Sequence, residues 1–143
     1  MSYASIVPLI GGETIAMENV FGERPKYFLT FDGFQANESH INNHYNHEVP
    51  YLNLSEGASY TEKVDVINTV CPCAGLSSLS PSASSTNPMN EWMYKSAEYV
   101  LGEVQPKVFW GENAPRLASK MGEPVVKRLR KIGEDNGYTF SIF

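Results

Sequence analysis

Short apolar runs of strand length alternate along this chain with segments of helical period, and that alternation limits the fold more than any single residue does. Ser5–Ile10 is an apolar run that breaks at Gly11-Gly12. Ile15, Ala16, Val20 and Phe21 then recur at helical spacing until Gly22 and Pro25 end the helix. Tyr27–Phe31 is an aromatic and β-branched run of strand length. Asn37-Glu38-Ser39 reads as a helix start with Asn37 as its cap, leading into a polar segment that runs to Asn46. Val49–Leu54 is a third extended run, and Val64–Val70 reads as a buried strand with one charge, Asp65, near its beginning. Met93, Ala97, Val100, Leu101 and Val104 fall on one face of a helix that Pro106 stops. Val108–Trp110 then reads as a buried strand and Gly111–Pro115 as a turn. Val125, Val126, Leu129 and Ile132 mark a last helix closed by Gly133 or Gly137, and Tyr138–Phe143 reads as a final strand. Strands alternating with helices predict an α/β fold, a mainly parallel sheet with helices on both faces. Ligands of such sheets gather at the carboxyl ends of the strands, where Gly11-Gly12, Asp32, Cys73 and Glu112 fall.

At 143 residues the chain fits one compact domain with its own core. No apolar run approaches the roughly 18 residues of a membrane span, and Met1–Ser5 carries no basic cluster ahead of an apolar stretch. A cytoplasmic location without membrane attachment is therefore expected. The net charge of −5 argues against indiscriminate polyanion binding, but it is unevenly spread. Residues 1–115 hold 13 acids and 5 bases, whereas residues 116–143 hold six bases and three acids. That basic segment reads either as a solvated helix or as a flank facing nucleic-acid phosphate.

From Val66 to Asn90 there is no charged residue, and six serines fall between Ser77 and Ser85. A linker seldom starts at the end of a buried strand with Cys-Pro-Cys-Ala-Gly, so the stretch reads as a long functional loop. Cys71 and Cys73 are too close for an ordinary disulfide and too few for a zinc cage. Cys71 should point into the core. Cys73, after Pro72 on an exposed loop, is a candidate nucleophile. Glu112 and Asn113 follow the next strand, and a carboxyl group there, kept protonated by burial, could donate a hydrogen bond to a ring nitrogen. His40 and His44 have the i, i+4 spacing of a metal-binding pair, but with His47 they lie in an asparagine-rich polar context, and no metal is expected.

Two stretches taken together resemble the cytosine-5 DNA methyltransferase family. Asp65–Ser77 is similar to that family's strand and catalytic loop, whose hallmark is Pro-Cys-Gln-x-Phe-Ser. Pro72, Cys73 and Ser77 match, while Ala74 replaces the glutamine and Leu76 the phenylalanine. Pro106–Leu117 is similar to the family's Pro-Lys-x-x-x-x-Glu-Asn-Val-x-x-Leu, with Ala114 in place of the valine. The resemblance implies a Rossmann-like fold of the S-adenosylmethionine-dependent type. Gly11 and Gly12 align with the last two glycines of the family's cofactor loop, Asp-Leu-Phe-x-Gly-x-Gly-Gly. Ser5, Val7 and Leu9 then stand at its aspartate, phenylalanine and first glycine. Either Asp32 or Glu38 would hold the cofactor ribose, Asn53 would stand near the adenine, and Pro72 would border the cofactor.

The chemistry implied is covalent. Cys73 attacks carbon six of cytosine, Glu112 bonds to ring nitrogen three, and carbon five takes the methyl group. Asn113 would help shape the base pocket, with Ser77, Ser78 and Arg116 on the substrate side. The base must leave the DNA stack to be reached. The resemblance makes residues 1–143 a single catalytic lobe. It lacks the family's Gln-x-Arg-x-Arg segment, target-recognition region and C-terminal helix. The expectation is a truncated or split enzyme, inactive alone, with DNA and a complementing C-terminal chain as partners. Two other classes compete: a degenerate module that binds DNA or a partner chain without chemistry, and, more weakly, a redox protein using Cys71 and Cys73.

Overall fold

The computed structural model describes residues 1–59 and 62–143, with the side chains of residues 35–37 set aside. Five parallel strands, β1 (Tyr3–Ile6), β2 (Phe28–Thr30), β3 (Tyr51–Asn53), β4 (Val66–Thr69) and β5 (Val108–Gly111), form one sheet in the order β3-β2-β1-β4-β5. They alternate with helices α1 (Gly12–Phe21), α2 (Gln35–His44), α3 (Glu91–Tyr99) and α4 (Glu123–Asp135), which makes the fold Rossmann-like α/β. The chain divides into two compact units, Met1–Val70 with Val104–Gly111, and Cys71–Glu103 with Glu112–Phe143.

The first unit holds the whole sheet. Register places Tyr3, Val66 and Val108 on one face, and Ser5, Phe28, Asn68 and Trp110 on the same face. Helix α1 packs there through Met17 and Phe21 against Tyr3 and Val66, and α2 through Ile41 and Tyr45 against Phe28. On the opposite face Ala4, Ile6, Leu29 and Ile67 are fully buried, as parallel strands require. The second unit is built on Cys71, Leu76, Met93, Tyr94 and Val125, with Leu117, Leu129 and Ile132 against them.

Several boundaries differ from the sequence reading. Strand β1 spans Tyr3–Ile6, not Ser5–Ile10, because Val7 turns to φ 50° and Pro8 has no N–H for a ladder. The buried side chains of α1 are Thr14 and Met17, while Ala16 and Val20 face outward. Gly22 ends α1 as expected, in the left-handed conformation with its N–H on the Glu18 carbonyl. Helix α2 opens at Gln35 after Phe34, so it starts before Asn37, whose side chain lies outside the described residues. It stops at His44, short of Asn46, because Asn46 and His47 both take positive φ. The five residues of the α3 apolar face are all buried, and α3 continues as one π turn over Val100–Val104.

Strand β5 is exposed rather than buried. It is an edge strand with one neighbour, and Val108 and Trp110 are 50% and 38% accessible. The final strand expected at Tyr138–Phe143 does not form. The Tyr138 N–H closes the α4 terminus on the Gly133 carbonyl, Gly137 supplies the left-handed turn, and the residues beyond pair with no strand. Gly137 therefore ends the helix, and Gly133 lies inside it.

Candidate active site

Cys73 sits on the loop that leaves β4. Its carbonyl accepts the N–H groups of Leu76 and Ser77 at 3.0 and 2.8 Å, which folds the loop into a tight turn. Leu76, where the family has phenylalanine, is the turn's apolar anchor, fully buried among Cys71, Met93, Tyr94 and Val125. The two cysteines are thereby separated in role. Cys71 is buried with its sulfur 3.6 Å from Ser96 Oγ, whereas Cys73 is exposed, and the two form no disulfide. Pro72 between them is half-buried.

The serine-rich segment that follows is held by its own bonds. Ser84 N–H donates to the Gly75 carbonyl at 2.9 Å, Asn87 Nδ2 to Ser82 O at 2.9 Å, and Asn90 Nδ2 to Ser84 O at 2.9 Å. A side chain at Gly75 would meet Asn90 Oδ1 at 2.3 Å, so only glycine admits this closure. Asn90 is 2% exposed and was not singled out from sequence; it stands before α3 but makes no cap bond to it, so its role in closing the loop leaves no signal there. Ser77 is half-buried and accepts the Leu79 N–H at 3.2 Å, and Ser78 is exposed.

Glu112 is exposed, so the protonating burial envisaged from sequence is not supplied by the described residues of this chain. Asn113 turns inward instead: its Oδ1 accepts the Ala114 N–H at 2.8 Å and its Nδ2 points to Met93 Sδ at 3.3 Å. Those bonds anchor the turn ahead of the 3₁₀ segment Pro115–Ala118. Arg116, in that segment, is half-buried, and its carbonyl accepts from Ser119 Oγ at 2.6 Å.

The cofactor candidates lie in the first unit. Gly11 precedes α1 at φ 90°, and a Cβ there would strike Ile41 Cδ1 at 2.2 Å, whereas Gly12 faces open space. Val7 and Leu9 take φ 50°, a left-handed backbone that glycine adopts at no steric cost. The two acids that competed from sequence have different surroundings. Glu38 is 2% exposed, receives the Thr30 hydroxyl on Oε1 and lies beside the Tyr51 phenol, and burial raises its pKa above the ordinary value. Asp32 is exposed, and Asn53 Nδ2 donates to its Oδ1 at 2.7 Å. Its backbone N–H donates to Ser55 Oγ at 3.0 Å, and Asn53 Oδ1 caps the next turn through the Ser55 N–H at 2.9 Å. An exposed carboxylate with a fixed amide neighbour suits a diol, whereas a carboxyl group already bonded inside the core does not. Of the two, Asp32 is the carboxylate that could hold a ribose without leaving a partner in the core. Ser55 was missed from sequence, where Asn53 followed two residues later by serine is the signal of such a turn.

His47 Nε2 lies 3.1 Å from Asn43 Oδ1, and His40 and His44 are exposed. Among the described residues no three His, Cys, Asp or Glu side chains gather as metal ligands. Among them too, no helix is long and apolar enough to cross a membrane.

The fold and these loops define a Rossmann-like α/β protein with chemistry-bearing residues after parallel strands. A comparison with protein families gave no match. Over 85 residues the chain is 34% identical to "Putative type II methyltransferase M.MjaORF1200P" of Methanocaldococcus jannaschii, a stretch covering 54% of this chain and 22% of that protein. The chain thus spans less than a quarter of the length of the relative it matches, and over that stretch it is similar to a methyltransferase.

Proposed function

We propose that this chain is the catalytic lobe of a DNA (cytosine-5)-methyltransferase that uses S-adenosylmethionine. The observation that carries the reading is the placing of two motifs after neighbouring strands. Cys73 follows β4 by four residues, Glu112 follows β5 directly, and the last residues of those strands, Thr69 and Gly111, are paired in register. The exposure of Cys73 and the fit of Asp32 to a ribose support it, as does the likeness to a methyltransferase.

In this reading Cys73, as thiolate, adds to carbon six of a cytosine flipped out of the duplex, forming a carbon–sulfur bond. Glu112 hydrogen-bonds ring nitrogen three and supports the charge that develops there, leaving carbon five nucleophilic. S-adenosylmethionine, when bound, supplies an electrophilic methyl group. Loss of the carbon-five proton and cleavage of the carbon–sulfur bond then return the Cys73 thiolate. Asp32, Asn53 and the Gly11-Gly12 turn hold the cofactor, and Ser77, Ser78 and Arg116 border the DNA. A complementing chain would bring the arginine segment and the sequence reader.

A second reading, a module that binds DNA or a partner without chemistry, is favoured by one observation: bulky Val7 and Leu9 occupy left-handed positions in the loop before α1. Trapping separates the two. With DNA containing 5-fluorocytosine, S-adenosylmethionine and a chain supplying the remaining lobe, the native protein forms a covalent adduct and Cys73→Ser forms none. No adduct under these conditions, together with no cofactor binding by calorimetry, would sink the enzyme reading.

A further inference from the structure

The loop of residues 7–11 joins β1 to α1 through a costly backbone, left-handed at Val7, Leu9 and Gly11. Glycine accepts that region freely, but a β-branched valine seldom does. Such conformations persist only where their surroundings over-determine them. Part of that restraint is backbone: the Val7 N–H donates to Leu29 O at 2.8 Å and the Gly11 N–H to Pro8 O at 2.9 Å.

The rest is a line of three side chains that closes the loop across its ends. Ser5 on β1 stands two residues before the loop, and Thr14 on α1 stands three residues after it. Their hydroxyl oxygens are 2.8 Å apart, and Ser5 donates its proton to Asn68 Oδ1 on β4. Ser5 has one proton to give, so Thr14 donates to Ser5. All three side chains are fully buried, and Asn68 Nδ2 is left buried without a partner. Stability alone does not explain such a group, since apolar side chains of the same shape would fill the core without an unpaired donor.

We propose that Thr14, Ser5 and Asn68 form a positioning clamp that keeps the strained loop and the first turn of α1 in the shape that admits S-adenosylmethionine. The inference rests on the cofactor reading above. None of the three touches the cofactor, and each acts through the loop.

The test uses Thr14→Val, with Thr14→Ala as a second truncation and Thr14→Ser as the rescue. Calorimetry measures S-adenosylmethionine affinity, and hydrogen exchange follows the amides of Gly11 and Ile15, whose carbonyl partners lie in this turn. In Thr14→Val and Thr14→Ala, affinity falls roughly tenfold and exchange quickens by a similar factor while the thermal midpoint is retained. Thr14→Ser returns both to native values. Unchanged exchange, or faster exchange with unchanged affinity, overturns the clamp. Should the native protein bind no S-adenosylmethionine even with a chain supplying the remaining lobe, the cofactor reading fails on its own, and the exchange comparison still decides whether Thr14 holds the loop.

Discussion

At the scale of single residues, what distinguishes Asp32 from Glu38 is solvation. Both follow a strand that ends at Thr30, yet one carboxylate is exposed beside Asn53 and the other is inside the core against Thr30 and Tyr51. Burial raises the pKa of Glu38 above its ordinary 4.5, so the native state binds that proton more tightly than the unfolded chain does. Its stabilising contribution is complete below pH 4.5 and is lost as pH rises through the raised native value. Glu38→Gln keeps the acceptor for Thr30 and removes the titration. Urea midpoints measured from pH 4 to 8 should therefore show native stability falling relative to the variant as pH rises. A constant difference between the two curves excludes Glu38 as the titrating group. Periodicity and spacing carry no information about which of two nearby acids is dry, which is why the sequence left the choice open.

At the scale of elements, the two glycines before and at the start of α1 are unequal. Gly11 has φ 90° and no room for a Cβ beside Ile41, whereas Gly12 has open space around it. Gly11→Ala should cost roughly 2–3 kcal/mol, from backbone strain and the clash together. Gly12→Ala should change stability by no more than about 0.5 kcal/mol. Urea unfolding of both variants checks this, and equal losses would contradict the geometry. The order of strands and helices was legible because each element carries its own period. The apolar face of α3 came out residue for residue, since Met93, Ala97, Val100, Leu101 and Val104 are all buried. What failed were features decided by neighbours. Val108–Trp110 has the composition of a buried strand but lies at a sheet edge, and Tyr138–Phe143 alternates like a strand but joins no sheet among the described residues. Cys73 and Glu112 were visible as motifs, whereas the Thr14–Ser5–Asn68 line was not, because hydroxyl and amide side chains in a strand leave no periodic trace.

At the scale of the whole molecule, the acidic and basic portions of the chain predict how it meets a polyanion. Six bases against three acids lie in residues 116–143, and several of those bases are already engaged. Arg128 pairs with Glu91 at 3.2 Å, Lys131 pairs with Asp135 at 2.7 Å, and Arg130 lies over Phe140. Lys120 and Lys127 are exposed and form no ion pair among the described residues. If they meet DNA phosphate, replacing both with glutamine lowers the salt slope of binding by about 1 per lysine, read by fluorescence anisotropy against salt concentration. An unchanged slope removes them from the DNA surface. The position of β1 has a further consequence, for how the molecule is made. Of the five strands, the one synthesised before the others is the central one, with β2 and β4 on its two sides. One side of β1 can pair as soon as Phe28–Thr30 has been synthesised, but the other must wait for Val66–Thr69. During that interval a strand destined to be wholly buried shows an open edge to every other nascent chain. Recovery of folded protein should accordingly follow the temperature and rate of synthesis more closely than the stability of the finished molecule.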